Sequence, residues 1–332
     1  MEQNEYFSLN SHSEIKIIGS SLIRSLVSMD DAILLMESAF RNMHNGNCFM
    51  PLRTVVEAPG KELTVLFKSA FDQSINRSAI KLLFQNEKNK LFGVPTITGI
   101  VILLDSITGQ IISIMDGETI TSLRTGALSG MATKYLARTD SKTMALFGCG
   151  VQGRSQVEAI LAVRKIEKVY LYDIDPNAGG KMLTEFRDRF SVSFEYTQDM
   201  DCLKSADVIC TATGSRRPIF KKSQLKHGVH INAIGSYKPD MNEIDPDIMK
   251  AASIYLDQRE ACLIESGDLI KPIKLGLFNE DHLRGEISEL LTGAIPGRTS
   301  ESEITVFKSV GIAAQDLYMA NGVYQNSLNI GA

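Results

Sequence analysis

The feature that most constrains the fold is a glycine-rich loop that joins a strand pattern to a helix pattern. The stretch TMALFGCGVQGRSQVEAI covers residues 143–160 and contains Gly148, Gly150 and Gly153. In such a strand–loop–helix unit, the first glycine permits a tight turn, the second lets the backbone approach a pyrophosphate, and the third lets helix and strand pack closely. Because a helix N-terminus also favours an anion, the loop predicts a dinucleotide site. A purely structural turn is the alternative.

An acidic residue follows at the spacing that a dinucleotide site uses. The segment KVYLYD predicts the next strand, and Asp173 ends it, 20 residues after Gly153. A carboxylate at this point accepts hydrogen bonds from the adenine-ribose hydroxyls and repels a 2′-phosphate. We therefore expect NAD as the cofactor, with NADH favoured over NADPH. If the loop is only a turn, Asp173 is a surface aspartate.

From about residue 119 onward, helix and strand patterns alternate. A helix rich in small residues, ITSLRTGALSGMATKYLA, precedes the strand TMALFG, and helices at QVEAILAVRK and 177–190 follow the first two strands. Further strand patterns are SFEYT, DVICTAT, GVHINAIG, SIYLD and EITVFKSVG, and residues 312–324 predict a final helix. This order predicts an α/β fold with a doubly wound parallel sheet of Rossmann type.

The residues before this region predict a different, smaller α+β part. An amphipathic helix covers about Ser28 to Asn45, with Ser28 or Asp30 as its cap. The segments LRTVVEA, LTVLFKSA, SAIKLLFQ and TITGIVILLD are separated by turn-like residues at 59–60, 86–89 and 93–95, and DSITGQ predicts a hairpin turn into IISIMDG. Short β-branched segments between turns are typical of an antiparallel sheet.

The composition argues against several classes of partner. The 332 residues carry a net charge of −4 with no block of Lys or Arg, so we expect no nucleic acid and no anionic membrane as partner. The N-terminus is polar, and no apolar run approaches the ~18 residues of a spanning helix. The five cysteines are scattered and the five histidines lack metal-ligand spacing. We therefore expect a cytoplasmic protein with free thiols and no metal site.

Three basic residues ahead of the glycine loop lie where a solvated charge is not the obvious interpretation. Arg53 follows Met50-Pro51 at the start of a strand, Lys81 lies inside the apolar run AIKLLF, and Arg124 stands among small residues at the start of a helix. A substrate carboxylate beside a nicotinamide needs such a group, since Arg grips it with two hydrogen bonds and Lys adds a point charge. Taken singly, each residue is better explained as a surface or structural charge than as a functional one.

Four stretches carry a more specific signal: SLRTGALSGMATKYLA, LFGCGVQG, HINAIGSYKPDMNEID and EITVFKSVGIAAQDL. Through them the chain resembles the ornithine cyclodeaminase/mu-crystallin family, in consistent order from about Ser28 to Tyr324. The resemblance implies a Rossmann domain for NAD(P) at residues 121–310. It also implies a smaller domain, residues 1–120 with 311–332, that binds the substrate and forms a homodimer.

The resemblance further implies roles for individual residues. Arg53, Lys81 and Arg124 match the catalytic residues that bind the substrate carboxylate, while Arg124 and Thr96 match positions near the nicotinamide. The other matches are cofactor-binding positions: Gly148, Gly150, Val151, Gln152, Gly153, Asp173, Thr211, Ile234, Gly235, Ser236 and Ser309. For Thr96, Thr211 and Ser309 the alternative is ordinary packing at strand ends.

One departure from the family pattern bears on the reaction. The cyclodeaminases carry an aspartate two residues after the glycine of the fifth-strand motif, where it manages protons on the substrate amine. Here the stretch is AIGSYKPDM, so Tyr237 takes that position, and Asp240 lies three residues further on. A phenol with a pKa of about 10 is a poor base near pH 7. We therefore do not expect ornithine cyclodeamination to be the main activity.

The resemblance and the three cations together favour an NAD(P)-dependent oxidoreductase that acts on the C–N bond of a small imino or amino acid. The preferred reaction is reduction of a cyclic ketimine such as Δ1-pyrroline-2-carboxylate. The alternatives are ornithine cyclodeaminase, an alanine-dehydrogenase-like or opine-type amino-acid dehydrogenase, and a non-catalytic NAD(P)-dependent binding protein. Retention of all three cations argues against the last of these.

Overall fold

The computed structural model describes residues 6–10, 13–58 and 63–329, and the chain divides into two compact units. The N-terminal unit comprises Met1–Arg124 with Ile312–Ala332, and the central unit comprises Thr125–Gly311. These borders lie near the expected ones after residues 120 and 310, and the roles of the two parts remain predictions. The turn predicted at residues 59–60 lies outside the described residues.

The helices and strands of the described residues have the following bounds. In chain order they are β1 (Tyr6–Asn10), β2 (Ser13–Ile18), α1 (Ser20–Leu26), α2 (Met29–His44), β3 (Cys48–Phe49), β4 (Thr54–Glu57), β5 (Leu63–Asp72), β6 (Arg77–Asn86), β7 (Ile97–Asp105), β8 (Ile111–Asp116), α3 (Gly117–Leu136), β9 (Thr143–Phe147), α4 (Val151–Val163), β10 (Lys168–Tyr172), α5 (Pro176–Arg189), β11 (Ser193–Tyr196), β12 (Val208–Thr211), β13 (His230–Ala233), α6 (Pro246–Ala251), β14 (Ser253–Leu256), α7 (Arg259–Glu265), α8 (Gly267–Lys274), β15 (Leu283–Glu286), α9 (Ile287–Thr292), β16 (Thr305–Lys308) and α10 (Ala313–Leu328).

The N-terminal unit is organised around a mixed sheet. Within the described residues its strand order is β1-β2-β8-β7-β6-β5-β3, with β4 paired to β5. The predicted antiparallel sheet is confirmed for β4 to β8, which pair as neighbours in an antiparallel sense. The strands β1 and β2 were not predicted. β2 pairs in parallel with β8, almost 100 residues away in the chain, so no local sequence pattern predicts this pairing.

Helices cover one face of this sheet. α10 packs against β5, β6 and α2. α2 begins at a capping box in which the Ser28 side chain accepts a hydrogen bond from the Asp31 amide, at 3.1 Å, and Asp31 accepts one from the Ser28 amide. Ser28 is therefore the cap, rather than Asp30, and the predicted helix is confirmed.

The opposite face of the sheet is apolar and exposed. The residues Phe67, Phe71, Ile80, Phe84 and Ile100, which we call the open apolar face, are between 36% and 43% exposed. The strand registers alternate these side chains with buried ones on β5, β6 and β7. Exposed apolar patches of this kind mark interaction sites.

The central unit is the predicted Rossmann-type fold. Its strand order in the described residues is β11-β10-β9-β12-β13-β16-β14-β15, and the pairs are parallel. The glycine loop follows β9, and the order reverses between β9 and β12, which is where doubly wound sheets bind ligands at the carboxyl ends of their strands. β15 and the short helices α6 to α9 were not predicted from the sequence.

Two helix starts differ from the predicted ones. α3 begins at Gly117, where the Asp116 side chain accepts a hydrogen bond from the Thr119 amide at 2.8 Å. Arg124 is consequently the eighth residue of the helix rather than a residue at its start. α4 begins at Val151, so the third glycine of the loop lies inside the first helical turn and not in the loop before it.

Candidate functional site

The three glycines of the loop are needed for different physical reasons. Gly148 has a φ of +98°, and a Cβ there would lie 2.5 Å from the Ala212 carbonyl oxygen. A Cβ on Gly153 would overlap the Gly148 carbonyl oxygen. Gly150 has an ordinary extended backbone and nothing within 4 Å of a built Cβ. Packing within the protein therefore accounts for Gly148 and Gly153, whereas Gly150 leaves an open cradle that suits the close approach of a pyrophosphate.

The residues next to the cradle also suit a dinucleotide. Val151 and Gln152 form the first turn of α4, and the Gln152 Oε1 is a buried atom with no hydrogen-bond partner among the described residues. Asp173 follows β10; its Oδ2 accepts a hydrogen bond from the Cys149 amide at 2.7 Å and its Oδ1 one from the Asp175 amide at 2.9 Å. Each carboxylate oxygen has a second lone pair, so Asp173 can hold the loop and still accept from ribose hydroxyls.

The other predicted cofactor positions of the central unit lie along the same edge of the sheet. Thr211 ends β12, Ile234 to Ser236 follow β13, and Ser309 follows β16. Because β12, β13 and β16 run parallel to β9 in the same sheet, their carboxyl ends lie at the same edge as the glycine loop. Thr96 lies in the N-terminal unit just before β7, where its carbonyl oxygen accepts a hydrogen bond from the Asn86 amide at 2.8 Å.

Two buried carboxylates that sequence reasoning missed hold these strand ends. Glu243 accepts hydrogen bonds from the Thr211 hydroxyl at 2.8 Å and from the amides of Gly235 and Ser236 at 2.7 and 3.1 Å. Asp257 accepts one from the Ser309 hydroxyl at 2.7 Å. Thr211 and Ser309 are thus tied into the protein itself, as the packing alternative supposed. Asp257 ends the predicted strand SIYLD, as Asp173 ends KVYLYD, so its position at a strand end was a signal that could have found it. Glu243 follows no comparable signal.

The three predicted cations come together in the N-terminal unit. Lys81 is 2% exposed and its Nζ donates to Asp316 Oδ1 at 2.9 Å. Arg124 donates to the same oxygen at 3.1 Å through Nε, and to Gln315 Oε1 at 2.5 Å through Nη1. Arg53, just before β4, lies close enough for its charge to act on Lys81. A strand, a helix and the C-terminal helix therefore build one positively charged site.

A fourth cation, Lys68, belongs to this site and was not predicted. It lies directly opposite Lys81 in the β5–β6 pair, so both side chains share the face that α10 covers. The cation cluster hereafter means Arg53, Lys68, Lys81 and Arg124 together with the carboxylate of Asp316. The predicted antiparallel sheet contained part of the necessary signal, since pairing the segment LTVLFKSA with SAIKLLFQ in the observed register aligns the two lysines. Asp316 gave no comparable signal.

The charges of the cluster shift one another's pKa. Burial, together with the charges of Arg124 and Arg53, lowers the pKa of Lys81 to about 8, although Asp316 opposes the shift. Burial acts to raise the pKa of Asp316, but the charges of Lys81, Arg124 and Lys68 outweigh it and lower that pKa. Asp316 therefore stays ionised near neutral pH, and Lys81, with a pKa of about 8, changes its charge just above neutral pH. Burial and the neighbouring cations also lower the pKa of Lys68.

This gives a pH prediction for carboxylate binding. Lys81 is positive below its pKa of about 8 and loses its charge above it. We therefore expect affinity for an unreactive carboxylate such as pyrrole-2-carboxylate to be constant at low pH and to fall as pH rises above about 8, by up to tenfold per unit. Calorimetric titration of the NADH complex from pH 6.5 to 10 measures this. A Lys81→Arg variant, which keeps its charge, should lose the part of the dependence that Lys81 causes, and a flat wild-type profile would contradict the prediction.

Other kinds of site find little support in the part of the chain that is described. Residues 6–10, 13–58 and 63–329 contain no group of three or more His, Cys, Asp or Glu side chains arranged to hold a metal ion. In the same residues no helix combines the length and apolar character needed to cross a bilayer. All five cysteines are free thiols.

Comparison with known proteins identifies the family. Residues 16–330 match the model of the ornithine cyclodeaminase/mu-crystallin family. A Δ1-pyrroline-2-carboxylate reductase of Bacillus cereus is 34% identical over 95% of this chain and 97% of its own.

Solved structures agree with this assignment. The Thermococcus litoralis Δ1-pyrroline-2-carboxylate reductase, in complex with NADH and L-proline, superimposes with a TM-score of 0.92 at 34% identity, covering 95% of this chain and 98% of that one. An archaeal alanine dehydrogenase dimer with bound NAD gives a TM-score of 0.89 at 34% identity, covering 95% and 97%. The chain therefore belongs to the ornithine cyclodeaminase/mu-crystallin family.

Proposed function

We propose that this protein is an NAD-linked oxidoreductase that reduces the C=N bond of a small α-imino acid, with a cyclic ketimine such as Δ1-pyrroline-2-carboxylate as the preferred class. The observation that carries the proposal is the buried cation cluster, in which Lys81 and Arg124 converge on Asp316. A cluster with more cations than carboxylates is suited to bind an anion. The reductases of Bacillus cereus and Thermococcus litoralis, which match nearly the whole chain, support the choice of reaction.

The residues of the chain divide the work of this reaction. Arg53, Lys81 and Arg124 bind the substrate carboxylate and so orient the imine carbon, and a fixed orientation supplies much of the rate. The cofactor, when bound, supplies the hydride. The imine nitrogen takes up one proton, and Lys81 is suited to deliver it because its pKa of about 8 is near neutral. The balance is one hydride to carbon and one proton to nitrogen, which gives the amino acid.

The cofactor role belongs to the glycine loop and the strand ends of the central unit. Gly148, Gly150 and Gly153 form the turn, and Val151 and Gln152 offer the helix N-terminus to the pyrophosphate. We assign the ribose to Asp173. Thr211, Ile234, Gly235, Ser236 and Ser309 complete the proposed set in the central unit, and the family resemblance adds Thr96 and Arg124 of the N-terminal unit. The open cradle at Gly150 and the buried, unbonded Oε1 of Gln152 support this assignment.

A steady-state assay tests the reaction. NADH oxidation is measured with Δ1-pyrroline-2-carboxylate and, separately, NAD⁺ reduction with L-proline and L-alanine. We expect the imine to be reduced, and product analysis to find proline. Faster turnover of pyruvate with ammonium than of any cyclic imine would favour the alanine-dehydrogenase-like alternative, which the archaeal neighbour makes a specific rival. Release of an amino acid from an N-linked conjugate would favour an opine-type enzyme. Binding of NADH without turnover of any of these substrates would favour the non-catalytic binding protein.

Ornithine provides a separate prediction. Tyr237 follows Ser236 after β13, at the position of the cyclodeaminase aspartate, and a phenol does not accept protons readily near pH 7. We expect little or no ammonia from L-ornithine with catalytic NAD⁺ in a coupled ammonia assay. The control is imine reduction by the same enzyme sample. Robust conversion of ornithine to proline would contradict the prediction and assign the proton transfer to another group, with Asp240 the nearest acid in the sequence.

We also propose that the N-terminal unit forms a homodimer through the open apolar face. A second copy is the expected occupant, since an alanine dehydrogenase that matches 95% of this chain is a dimer. The double change Phe67→Glu and Ile100→Glu, on the two strands that flank β6, should shift the molecular mass measured by analytical ultracentrifugation from dimer to monomer. Leu91→Glu, at an exposed position outside the face, should not. A dimer that survives the double change would refute this interface.

A further inference from the structure

The ammonium of Lys81 has two acceptors, which come from two different helices. Its Nζ donates to Asp316 Oδ1 of α10 at 2.9 Å and to Thr121 Oγ1 of α3. An ammonium carries three hydrogens, and the residues that the structure describes provide no third acceptor for this Nζ. One N–H of Lys81 is therefore left for a ligand, and its direction is set by the other two.

Both acceptors are themselves fixed in that role. The Thr121 hydroxyl donates to the Gly117 carbonyl oxygen, four residues earlier in α3, so its oxygen presents a lone pair to Lys81 rather than a hydrogen. Burial acts to raise the pKa of Asp316, but the neighbouring cations lower it, so this side chain is an ionised carboxylate and can only accept. Two groups that cannot act as donors hold the ammonium in one orientation.

Arg124 can supply the hydrogen bonds that the substrate carboxylate needs. Its Nε and Nη1 donate to Asp316 and Gln315 of α10, whereas its Nη2 has no acceptor within the described part of the chain. A guanidinium held along one edge presents its other N–H groups to a carboxylate. Lys81 can then act on the carboxylate through its charge alone, and its remaining N–H is available to another atom of the substrate.

We propose that Thr121 and Asp316 are positioning residues that aim the remaining N–H of Lys81 at the imine nitrogen, so that this one hydrogen is the proton delivered in the reaction. The proposal rests on the proposed reduction of a C=N bond and assigns its proton transfer to one atom. The imine carbon gains a hydride from NADH, and the imine nitrogen gains the proton through the electron pair of the former double bond.

The same contacts fit the state of Lys81 after the transfer. The electron pair of the broken N–H bond stays on Nζ, which becomes a neutral amine with two hydrogens. Those hydrogens remain on Thr121 and Asp316, so the lone pair lies where the proton was and faces the new amino group. Lys81 regains a proton from water before the next turnover.

Thr121 variants test the positioning role apart from charge. Thr121→Val should lower the rate constant of NADH oxidation in a single turnover with Δ1-pyrroline-2-carboxylate at pH 6.5 at least tenfold, a modest share of what general acid catalysis contributes. Its affinity for pyrrole-2-carboxylate should change less than threefold, because Lys81 keeps its charge. Thr121→Ser keeps the hydroxyl and should stay within threefold of wild type in both measurements.

The matched control is Thr119→Val, which removes a hydroxyl two residues earlier in α3 that donates to Ser20 and not to Lys81. It should stay within threefold of wild type, and so exclude a general effect of a lost hydroxyl in this helix. A Thr121→Val rate constant within threefold of wild type would overturn the proposal. So would an equal loss of rate in Thr121→Val and Thr121→Ser, because the hydroxyl would then not be the cause.

Asp316→Asn tests the second acceptor through a pH profile. Burial lowers the pKa of Lys81 to about 8, the Asp316 charge opposes this, and Arg124 and Arg53 add to it; Lys68 is the other cation that interacts with Lys81. In wild type the single-turnover rate constant should therefore fall above about pH 8. Asp316→Asn keeps an acceptor oxygen but loses the charge, so the fall should begin at least one pH unit lower. An unchanged profile would contradict the role of Asp316.

A binding measurement separates failure of this proposal from failure of the proposed reaction. Calorimetry with pyrrole-2-carboxylate and the NADH complex follows the charge of Lys81 without turnover, and its fall with pH should shift in Asp316→Asn as the rate does. If wild type reduces no imine, the proposed reaction is wrong and its proton transfer is wrong with it, but a shifted affinity profile still shows that Asp316 controls Lys81. If imines are reduced and Thr121→Val matches wild type, the reaction stands and the positioning role is wrong.

Discussion

Replacing Lys81 by alanine is expected to lower kcat/KM for the best imine at least tenfold, and Arg53→Ala and Arg124→Ala are expected to do the same. A charge-assisted hydrogen bond to a carboxylate contributes about 1.5–3 kcal/mol, and each 1.4 kcal/mol is a factor of ten. Lys81 should show the largest effect, because in the proposed reaction it binds the carboxylate and also delivers the proton to the imine nitrogen, and it shares the Asp316 oxygen with Arg124. Its loss leaves both the substrate anion and Asp316 with fewer partners.

The geometry of the cation also matters. Arg53→Lys keeps the charge but loses the two-pronged grip of a guanidinium on a carboxylate, so we expect it to be impaired. The NADH dissociation constant should change little in Arg53→Ala and Lys81→Ala. It can change in Arg124→Ala if that residue also contacts the nicotinamide half of the cofactor. The measurement is kcat/KM for the imine together with the NADH dissociation constant in each variant.

The control for these variants is Arg24→Ala, which removes an exposed arginine of α1 in the same unit. It should leave kcat/KM unchanged and so exclude a general effect of lost charge. Near-normal turnover in both Arg53→Ala and Lys81→Ala would reject the carboxylate-binding role. Those residues would then be structural cations that neutralise Asp316, and the case for an acidic substrate would lose its main support.

Local signals in the sequence were sufficient for most of the fold. The glycine loop, the alternating helices and strands, and the turns between β4 and β8 each depend on residues close together in the chain. What they did not reveal was the parallel pair β2–β8 and the insertion of β16 between β13 and β14. Both contacts join segments far apart in the chain, and neither leaves a periodic pattern in either segment.

The residues of the candidate site also fall into those that local sequence signals reveal and those that they do not. Gly148, Gly153 and Asp173 could be singled out because their spacing follows from the geometry of one strand–loop–helix unit. Lys68 required the register of a hairpin, and Asp316 required knowledge of which helix covers that hairpin. In the sequence Asp316 is only an acid in the first turn of a helix, a position that the helix dipole explains without any site. Buried partners of functional cations are therefore the part that sequence patterns miss.

Wild-type enzyme is expected to use NADH with a kcat/KM at least tenfold above that for NADPH, and Asp173→Ser is expected to narrow or reverse this ratio. A 2′-phosphate carries close to two negative charges and would approach the Asp173 carboxylate, which repels it, while the ribose hydroxyl loses its acceptor. The ratio of kcat/KM for NADH to kcat/KM for NADPH is the informative quantity, because Asp173 also accepts a hydrogen bond from the Cys149 amide at 2.7 Å. Loss of that bond should weaken both cofactors together.

Asp173→Asn separates these two effects. Its amide oxygen can still accept the hydrogen bond from the Cys149 amide, so the glycine loop keeps its anchor, but the negative charge is gone. We expect the NADH to NADPH ratio to fall in Asp173→Asn with a smaller loss of NADH affinity than in Asp173→Ser. If the two variants shift the ratio equally, repulsion by the carboxylate is the cause of selectivity. If only Asp173→Ser shifts it, the shape of the loop is the cause. A wild-type preference for NADPH of more than tenfold would show that Asp173 does not have the role assigned to it. A carboxylate placed to accept hydrogen bonds from the ribose hydroxyls would repel a 2′-phosphate at the same position.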